Sequence, residues 1–341
     1  MKYVIIGDLH CKLTNYSLTV NGIPEQLYFP LKNLKNAAKY AKENNAKLII
    51  AGDIINSKLL IHQQIITEVM ETLLEIKNDN VDIYILLGNH DYEILNEKVY
   101  SYLLNLNIKI AIPQNPIIED EFALVSYSKP ELMMEELQNI DTDNLKLLVS
   151  HLGLIEGELT GSEFKIGEFS IKQFSHLKNV WIILGHYHKP QKVSERIYYV
   201  GSPIPTRLDE LDEEKRFLFL DTDKNEIKSI PTEYPKIKQF DLTIDEKINI
   251  KEIEKDIKKS FSKYIFNIPS NYNYIKELRN LSNNYRGYVF LKTKNEDIEY
   301  NKIENIENIN LKDIFNDFLK IKTSYEEKYK DEYLNLIGEL L

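Results

Sequence analysis

Ile83-Tyr84-Ile85-Leu86-Leu87-Gly88-Asn89-His90-Asp91 is an apolar, β-rich run that stops at glycine and then presents an amide, an imidazole and a carboxylate. A short apolar run bounded by a turn residue reads as a buried strand. Glycine lets the chain turn sharply at the strand end, so the polar side chains fall at the sheet edge. The arrangement recurs along the chain. Tyr3–Ile6 leads into Gly7-Asp8-Leu9-His10, and Lys47–Ile50 leads into Gly52-Asp53. Leu145–Val149 ends in Ser150-His151, and Val180–Leu184 ends in Gly185-His186-Tyr187-His188. Five strands thus deliver Asp, Asn or His just past their carboxyl ends, the edge at which open α/β sheets bind ligands.

The chain has seven histidines, and only His62 and His176 lie outside these motifs. Those two are read as structural. Carboxylate, imidazole and amide oxygen without thiolate suit Mn²⁺, Fe²⁺ or Zn²⁺ rather than a structural zinc site. Cys11 is the only cysteine, so neither an intramolecular disulfide nor a thiolate cluster can form. It is read as a packing residue beside a ligand. Seven donors are too many for one tetrahedral ion. They fit two ions roughly 3.5–4 Å apart, which can clamp a phosphoryl group between them.

Working outward, further strands are expected at Ile197–Val200 and Phe217–Leu220, and helices at about 30–44, 61–77, 95–105 and 130–139. Strands alternating with helices, followed by consecutive strands, indicate an α/β sandwich rather than a regular Rossmann repeat. Beyond Pro231 and Pro235 the pattern changes. Residues 236–295 read as a small α+β unit: strand 237–243, helices 250–262 and 273–283, strand 287–293. A stretch rich in asparagine and glutamate, 295–309, reads as a loop. Two helix signals close the chain, with Ser324 and Glu327 in a capping-box pattern.

The set Asp-x-His, Gly-Asp, Gly-Asn-His-Asp, His and Gly-His-x-His resembles the calcineurin-like metallophosphoesterases over about residues 1–220. The resemblance implies a β-sandwich flanked by helices and a two-metal centre, most simply with Mn²⁺. It assigns Asp8, His10 and His188 to one ion and Asn89, His151 and His186 to the other, with Asp53 bridging both. His90 is no ligand in it; it faces the substrate phosphate and acts on the leaving oxygen. Asn56 and Asp91 are expected to support that site from behind, Asn56 by accepting a hydrogen bond from His90. Gly52-Asp53 is not followed by the Asp-Arg-Gly of serine/threonine protein phosphatases, and the chain continues about 150 residues past the last histidine. That layout resembles the SbcD-like nuclease subunits of double-strand-break repair complexes, above all the short phage recombination exonuclease form. It implies three parts: a nuclease domain at 1–235, a DNA-capping α+β domain at 236–295, and a linker with partner-binding helices at 296–341. The implied activity is DNA exonuclease, with endonuclease activity open. The implied partners are DNA, an SbcC-like coiled-coil ATPase and a second copy of the chain.

Charge modulates this reading. The 341 residues carry a net charge of −10, which by itself argues against a nucleic-acid partner. The charge is uneven, however: 1–235 carries −10, 236–295 carries +6 and 296–341 carries −6. Lys251, Lys255, Lys258, Lys259 and Lys263 recur at helical spacing in the basic segment. They either face DNA phosphates or form a solvated helix face. The stripes Leu311, Ile314, Phe315, Phe318 and Tyr325, Tyr329, Tyr333, Leu336, Leu340 either dock a partner coiled coil or pack on the chain's own core. No run of 18 apolar residues is present, and the apolar start Tyr3–Ile6 is too short for a secretory signal. A cytoplasmic protein is expected, in the host cytoplasm if phage-encoded. Two rivals stand beside the nuclease: a phosphodiesterase for nucleotides or other small molecules, and a non-catalytic scaffold with a decayed metal site.

Overall fold

The computed structural model describes residues 1–14, 18–56, 62–94, 108–158, 167–211 and 213–294. Residues 1–293 form one compact unit. The first part of the chain gives β1 (Lys2–Ile6), a small hairpin of β2 (Thr19–Val20) and β3 (Ile23–Pro24), and helix α1 (Glu25–Asn44). Next come β4 (Lys47–Ala51), helix α2 (Gln63–Asn78), β5 (Ile83–Leu86), the short helix α3 (Asn89–Ile94) and β6 (Lys109–Ile110). The middle part gives β7 (Ile117–Glu119), β8 (Phe122–Val125), a helix at Pro130–Gln138, β9 (Leu147–His151), β10 (Trp181–Gly185), β11 (Gln191–Lys192) and β12 (Ile197–Tyr199). Then β13 (Arg216–Asp221) and β14 (Glu226–Pro231) complete the first sheet.

Two six-stranded sheets result, ordered β14-β13-β1-β4-β5-β6 and β11-β12-β10-β9-β8-β7. In the first, β1, β4, β5 and β6 run parallel. In the second, β8, β9, β10 and β12 do. Parallel strands buried on both faces must be apolar throughout rather than alternating, and KYVII, KLIIA and IYIL are so. The two faces of each strand feed different cores. Tyr3, Ile5, Ile49 and Leu86 meet Phe122, Leu147, Val149 and Ile183 between the sheets. Val4, Ile6, Leu48 and Ile50 pack outward against Leu34, Ala38, Val69 and Leu73 of α1 and α2. On the other side, Leu148, Ile182 and Leu184 pack against Met133, Leu137 and Phe174. The architecture is a four-layer helix–sheet–sheet–helix sandwich, and all five motif-bearing strands end at one edge of it.

The last described part is a three-stranded sheet, β15 (Ile237–Asp241), β16 (Lys263–Pro269) and β17 (Val289–Lys294), in the order β15-β16-β17. The helices Ile250–Ser260 and Ile275–Asn284 pack on it through Ile253, Ile257, Leu278 and Leu281. This lobe rests beside α1. Tyr288 Oη accepts from the Leu18 amide at 2.7 Å, and Lys263 Nζ lies 3.4 Å from Glu25 Oε1.

Several expectations need correction. Lys263 does not continue the Ile250–Ser260 helix; it opens β16, the central strand of the small sheet, which the sequence pattern does not reveal. Ser262 and Phe261 lie beside a left-handed helix end at Phe261 (φ 56°), which breaks the lysine stripe. Helix α1 starts at Glu25, not near 30, with Pro30 inside it. Strands β2, β3, β6, β7, β8, β11 and β14 are also additions to the expected set. β14 ends in proline, which an edge strand tolerates, and among the described residues it pairs only with β13. The helix expected at 95–105, and everything expected beyond residue 294, lie outside the described residues. Among the described residues no helix is long and apolar enough to cross a membrane.

Candidate metal centre

At the carboxyl edge of the two sheets the backbone is bent into conformations that side chains rarely adopt. Asp8, His10, Asp53 and His186 all have positive φ, at 49°, 46°, 52° and 100°. Non-glycine residues there cost energy, and such outliers concentrate at functional sites. Gly88 explains one of the glycine signals: a Cβ on it would collide with the Asp53 carboxylate. The motif needs glycine so that the β5 end can touch the β4 end.

The sequence-chosen donors converge. Asp8, His10 and His188 place ligand atoms within 4.8 Å of one another, as do Asp8, Asp53 and His151. Asp53 Oδ2 lies 3.5 Å from His10 Nε2 and 3.4 Å from His151 Nε2, between the two groups. Asn89 Oδ1 lies 3.1 Å from His151 Nε2 and 3.0 Å from His186 Nδ1. His188 Nε2 and His10 Nε2 are 2.8 Å apart. The His186 amide donates to Asp8 Oδ1 at 3.0 Å. His90 joins a third group with His10 and Asp53, and its amide donates to Asp53 Oδ1 at 2.9 Å.

Residues behind the donors aim them. Asp91 accepts from the amides of Asp53 (2.6 Å), Gly88 (3.0 Å) and Ile54 (3.2 Å), tying the β4 and β5 loops together. His151 Nδ1–H donates to the Ala51 carbonyl at 2.9 Å, which leaves Nε2 as the ring atom that faces the site. His90 Nδ1 is 2.8 Å from the backbone carbonyl of Asn56. Asn56 therefore accepts from His90 as expected, through its main-chain carbonyl rather than its side-chain amide. A carbonyl accepts only, so Nδ1 carries the proton and Nε2 is free to face a ligand.

Three further residues went unnoticed in the sequence. His188 Nδ1 lies 2.7 Å from Thr206 Oγ1, which is 2.6 Å from Glu210 Oε1. Glu210 Oε2 pairs with Lys215 Nζ at 2.6 Å, both side chains being fully buried. Lys215 Nζ also donates to the His188 carbonyl at 3.0 Å. Nothing in the local pattern around 201–215 reveals that a lysine there is buried, so spacing alone could not find this chain.

Burial dominates the electrostatics. It pushes the Asp8 carboxyl up to about 6, drives His10 well below the usual imidazole range and takes His186 down to about 3. Burial opposes ionisation of Asp53 as well, but His151 and His10 beside it hold it well below the usual carboxylate range. Burial disfavours the His151 imidazolium, yet Asp53 outweighs this and lifts it to about 9. Among the described residues no lysine or arginine pairs with Asp8 or Asp53, although both are buried. Two buried carboxylates ringed by imidazoles, with His10 Nδ1 also buried and unpartnered, form a donor set that fits divalent cations, since a buried charge needs an opposite charge.

An α/β sandwich with carboxylate, imidazole and amide donors at one strand edge defines the class: a metal-dependent phosphoesterase. The sequence matches the Calcineurin-like phosphoesterase family over residues 1–190, more than half of the chain. The chain belongs to that family, whose members generally hydrolyse phosphoesters with metals. No curated protein matches it. Among solved structures it is similar to a dimetal phosphatase from Danio rerio, at 12% identity and a TM-score of 0.42, covering 64% of this chain and 91% of that one. It is also similar to a hypothetical protein from Thermus thermophilus, at 15% identity and a TM-score of 0.36, covering 59% of this chain and 77% of that one.

Proposed function

We propose that this chain is a metal-dependent DNA exonuclease, the nuclease subunit of an SbcD-like repair or recombination complex. The observation that carries this reading is the α+β lobe beside α1, in a segment whose net charge is +6. A phosphoesterase for small substrates needs no such addition. Lys251, Lys255 and Lys259 are exposed along one side of the Ile250–Ser260 helix, away from buried Ile253 and Ile257. Lys258, also exposed, lies over the Tyr285 ring at 5.9 Å. Lys263 lies apart from this helix, in β16, with its Nζ 3.4 Å from Glu25 Oε1. Partner helices at 296–341 and a second copy of the chain remain part of the proposal.

In this mechanism Asp8, His10 and His188 would hold one divalent cation and Asn89, His151 and His186 a second, with Asp53, placed between the two groups, serving both. Divalent cations bound there, with Mn²⁺ the proposed metal, supply activation of water and neutralisation of phosphoryl charge. The protein's part is orientation. Asp91 fixes the loops, the backbone carbonyl of Asn56 fixes His90, and Nε2 of His90 is directed to protonate or stabilise the departing oxygen. Incubating the purified chain with linear duplex DNA and with a chromogenic phosphodiester in Mn²⁺ tests the proposal. Processive loss of DNA ends supports it. Turnover of the small diester with intact DNA returns the small-molecule reading, and absence of bound metal returns the scaffold reading. Co-purification with a coiled-coil ATPase tests the complex.

A further inference from the structure

His188 is gripped both at its ring and at its main chain. The imidazole reaches Glu210 through Thr206. The backbone carbonyl accepts from Lys215 Nζ at 3.0 Å and from the Ser202 amide at 3.1 Å. Gly201 permits the second contact: at φ 78° it lies so close to Pro190 that a Cβ would collide with that backbone nitrogen. Lys215 is 0% exposed. Besides the carbonyl, its ammonium meets Glu210 Oε2 at 2.6 Å and Glu213 Oε2 at 2.5 Å. Three N–H donors thus find three acceptors, which gives the ammonium one orientation. A buried ion cluster adds little net stability over apolar residues of the same volume, whereas it does fix geometry.

The same segment also holds the linker that leads into the small lobe. The Thr232 amide donates to the Lys215 carbonyl at 3.0 Å, and Tyr234 Oη donates to the Glu213 carbonyl at 3.1 Å. Thr232 Oγ1 donates to the carbonyl of Pro203, the residue after Ser202, at 2.6 Å. On the linker's other side stands Asn33 of α1, fully buried. Its Nδ2 donates to the Glu233 carbonyl at 2.7 Å, and its Oδ1 accepts from the Glu233 amide at 2.9 Å. The linker then enters β15 at Ile237. A linker pinned on both sides cannot shift without moving the groups that pin it. Residues 213–215 therefore meet the linker with their carbonyls and His188 with the Lys215 side chain.

We propose that Lys215 is a positioning residue for the cation held by His188, and that residues 213–215 make this cation site depend on the linker of the small lobe. The proposal rests on the two-cation reading above and not on the choice of substrate. The test is calorimetric titration of the full chain with Mn²⁺, in which His188→Ala identifies the binding step that belongs to His188. The double variant Lys215→Met/Glu213→Gln removes one positive and one negative charge together, so the cluster keeps its net charge. Glu210 keeps the Thr206 amide at 3.1 Å and the Thr206 hydroxyl at 2.6 Å. The expected result is a melting temperature near that of wild type, with the His188 step weakened about 10–100-fold and the other step unchanged. Tyr234→Phe removes only the linker's bond to Glu213 and should weaken the same step about threefold. Should the double variant fail to fold, Tyr234→Phe decides by itself. An unaltered His188 step in either folded variant overturns the proposal. So does equal weakening of both steps alongside a lower melting temperature, which would make Lys215 a structural pair. Wild type lacking two Mn²⁺ steps overturns the two-cation reading and the proposal with it. Two steps in wild type that the variants leave unchanged sink the proposal alone.

Discussion

Thr206 Oγ1 stands 2.7 Å from His188 Nδ1 and 2.6 Å from Glu210 Oε1, and this settles which nitrogen of His188 carries the proton. Burial would raise the Glu210 carboxyl, but the His188 imidazole and the Lys215 ammonium hold it down at about 2. Glu210 is therefore ionised and can only accept. The Thr206 hydroxyl must donate to it, so its oxygen accepts from His188 Nδ1–H. His188 Nε2 is left as a lone pair turned toward His10.

Thr206→Val keeps the shape and removes the hydroxyl, so His188 loses its fixed tautomer. Removing such a supporting group costs about 10–100-fold in metal affinity. The expected result is selective weakening of one of two Mn²⁺ binding steps in a calorimetric titration, with Thr206→Ser restoring it. Equal weakening in the serine variant would show that only packing at 206 matters.

Asp53 Oδ2 lies within 3.5 Å of imidazoles from both donor groups. Asp53→Asn removes the charge both cations would share. Both binding steps should weaken and hydrolysis should vanish. A variant that retains two metals and near-normal turnover contradicts the bridging role.

His90 and Asn56 separate by chemistry. His90→Ala should keep metal and lose the chemical step, seen as a fall in kcat with little change in metal affinity. Asn56→Ala should leave turnover within about twofold, because the hydrogen bond to His90 comes from the backbone carbonyl and survives side-chain removal. A large drop in Asn56→Ala would show that its amide touches substrate.

The contrast between His90 and Thr206 shows where sequence reading stops. Strand-end motifs carry their chemistry in residue type, and five of them at the ends of five strands made the donor cluster legible in the sequence. The sandwich was legible for the same reason: strands such as IYIL are apolar on both faces. Contacts made by main chain are silent in sequence, since any residue at 56 offers the same carbonyl. Buried charge is silent too. Lys215 sits in an acidic run and looks exposed, yet tertiary packing pairs it with Glu210. The strand β16 escaped because an apolar run of that length between two amphipathic helices has no period of its own.

Asp256 sets an acid limit on the small lobe. Burial would raise its carboxyl, but Lys238 Nζ at 2.8 Å and Tyr264 Oη at 2.7 Å hold it at about 2, below its ordinary 3.8. A depressed carboxyl contributes stability that is full above the unfolded value and lost as pH falls through the folded one. The lobe should lose that contribution between pH 3.8 and about 2. The site is largely exposed, so the effect is modest. In Asp256→Asn the melting temperature should fall at pH 6 and converge with wild type near pH 2. A constant difference across that range would mean the pair contributes nothing that titrates.

Lys251, Lys255 and Lys259 repeat every four residues on an exposed helix side, with Ile253 and Ile257 buried opposite. Acidic neighbours dilute the stripe: Glu252 caps the helix start with Asn249, and Asp256 is engaged by Lys238. The fold thus does not need the three lysines, and reversing all of them to glutamate should leave the melting temperature nearly unchanged. If the stripe follows a DNA backbone, the reversal weakens binding to unrelated sequences alike, because phosphates carry no sequence information. Each phosphate that is no longer neutralised lowers the slope of log affinity against log salt by about 0.9, so three together lower it by about 2.7. Fluorescence anisotropy with two unrelated duplexes over a salt series measures both quantities in EDTA, free of cleavage. Uniform weakening with a flatter slope places DNA on this helix. Unchanged affinity at low salt makes the stripe a solvated surface, and sequence-dependent weakening points to base readout that an exposed lysine row gives no reason to expect.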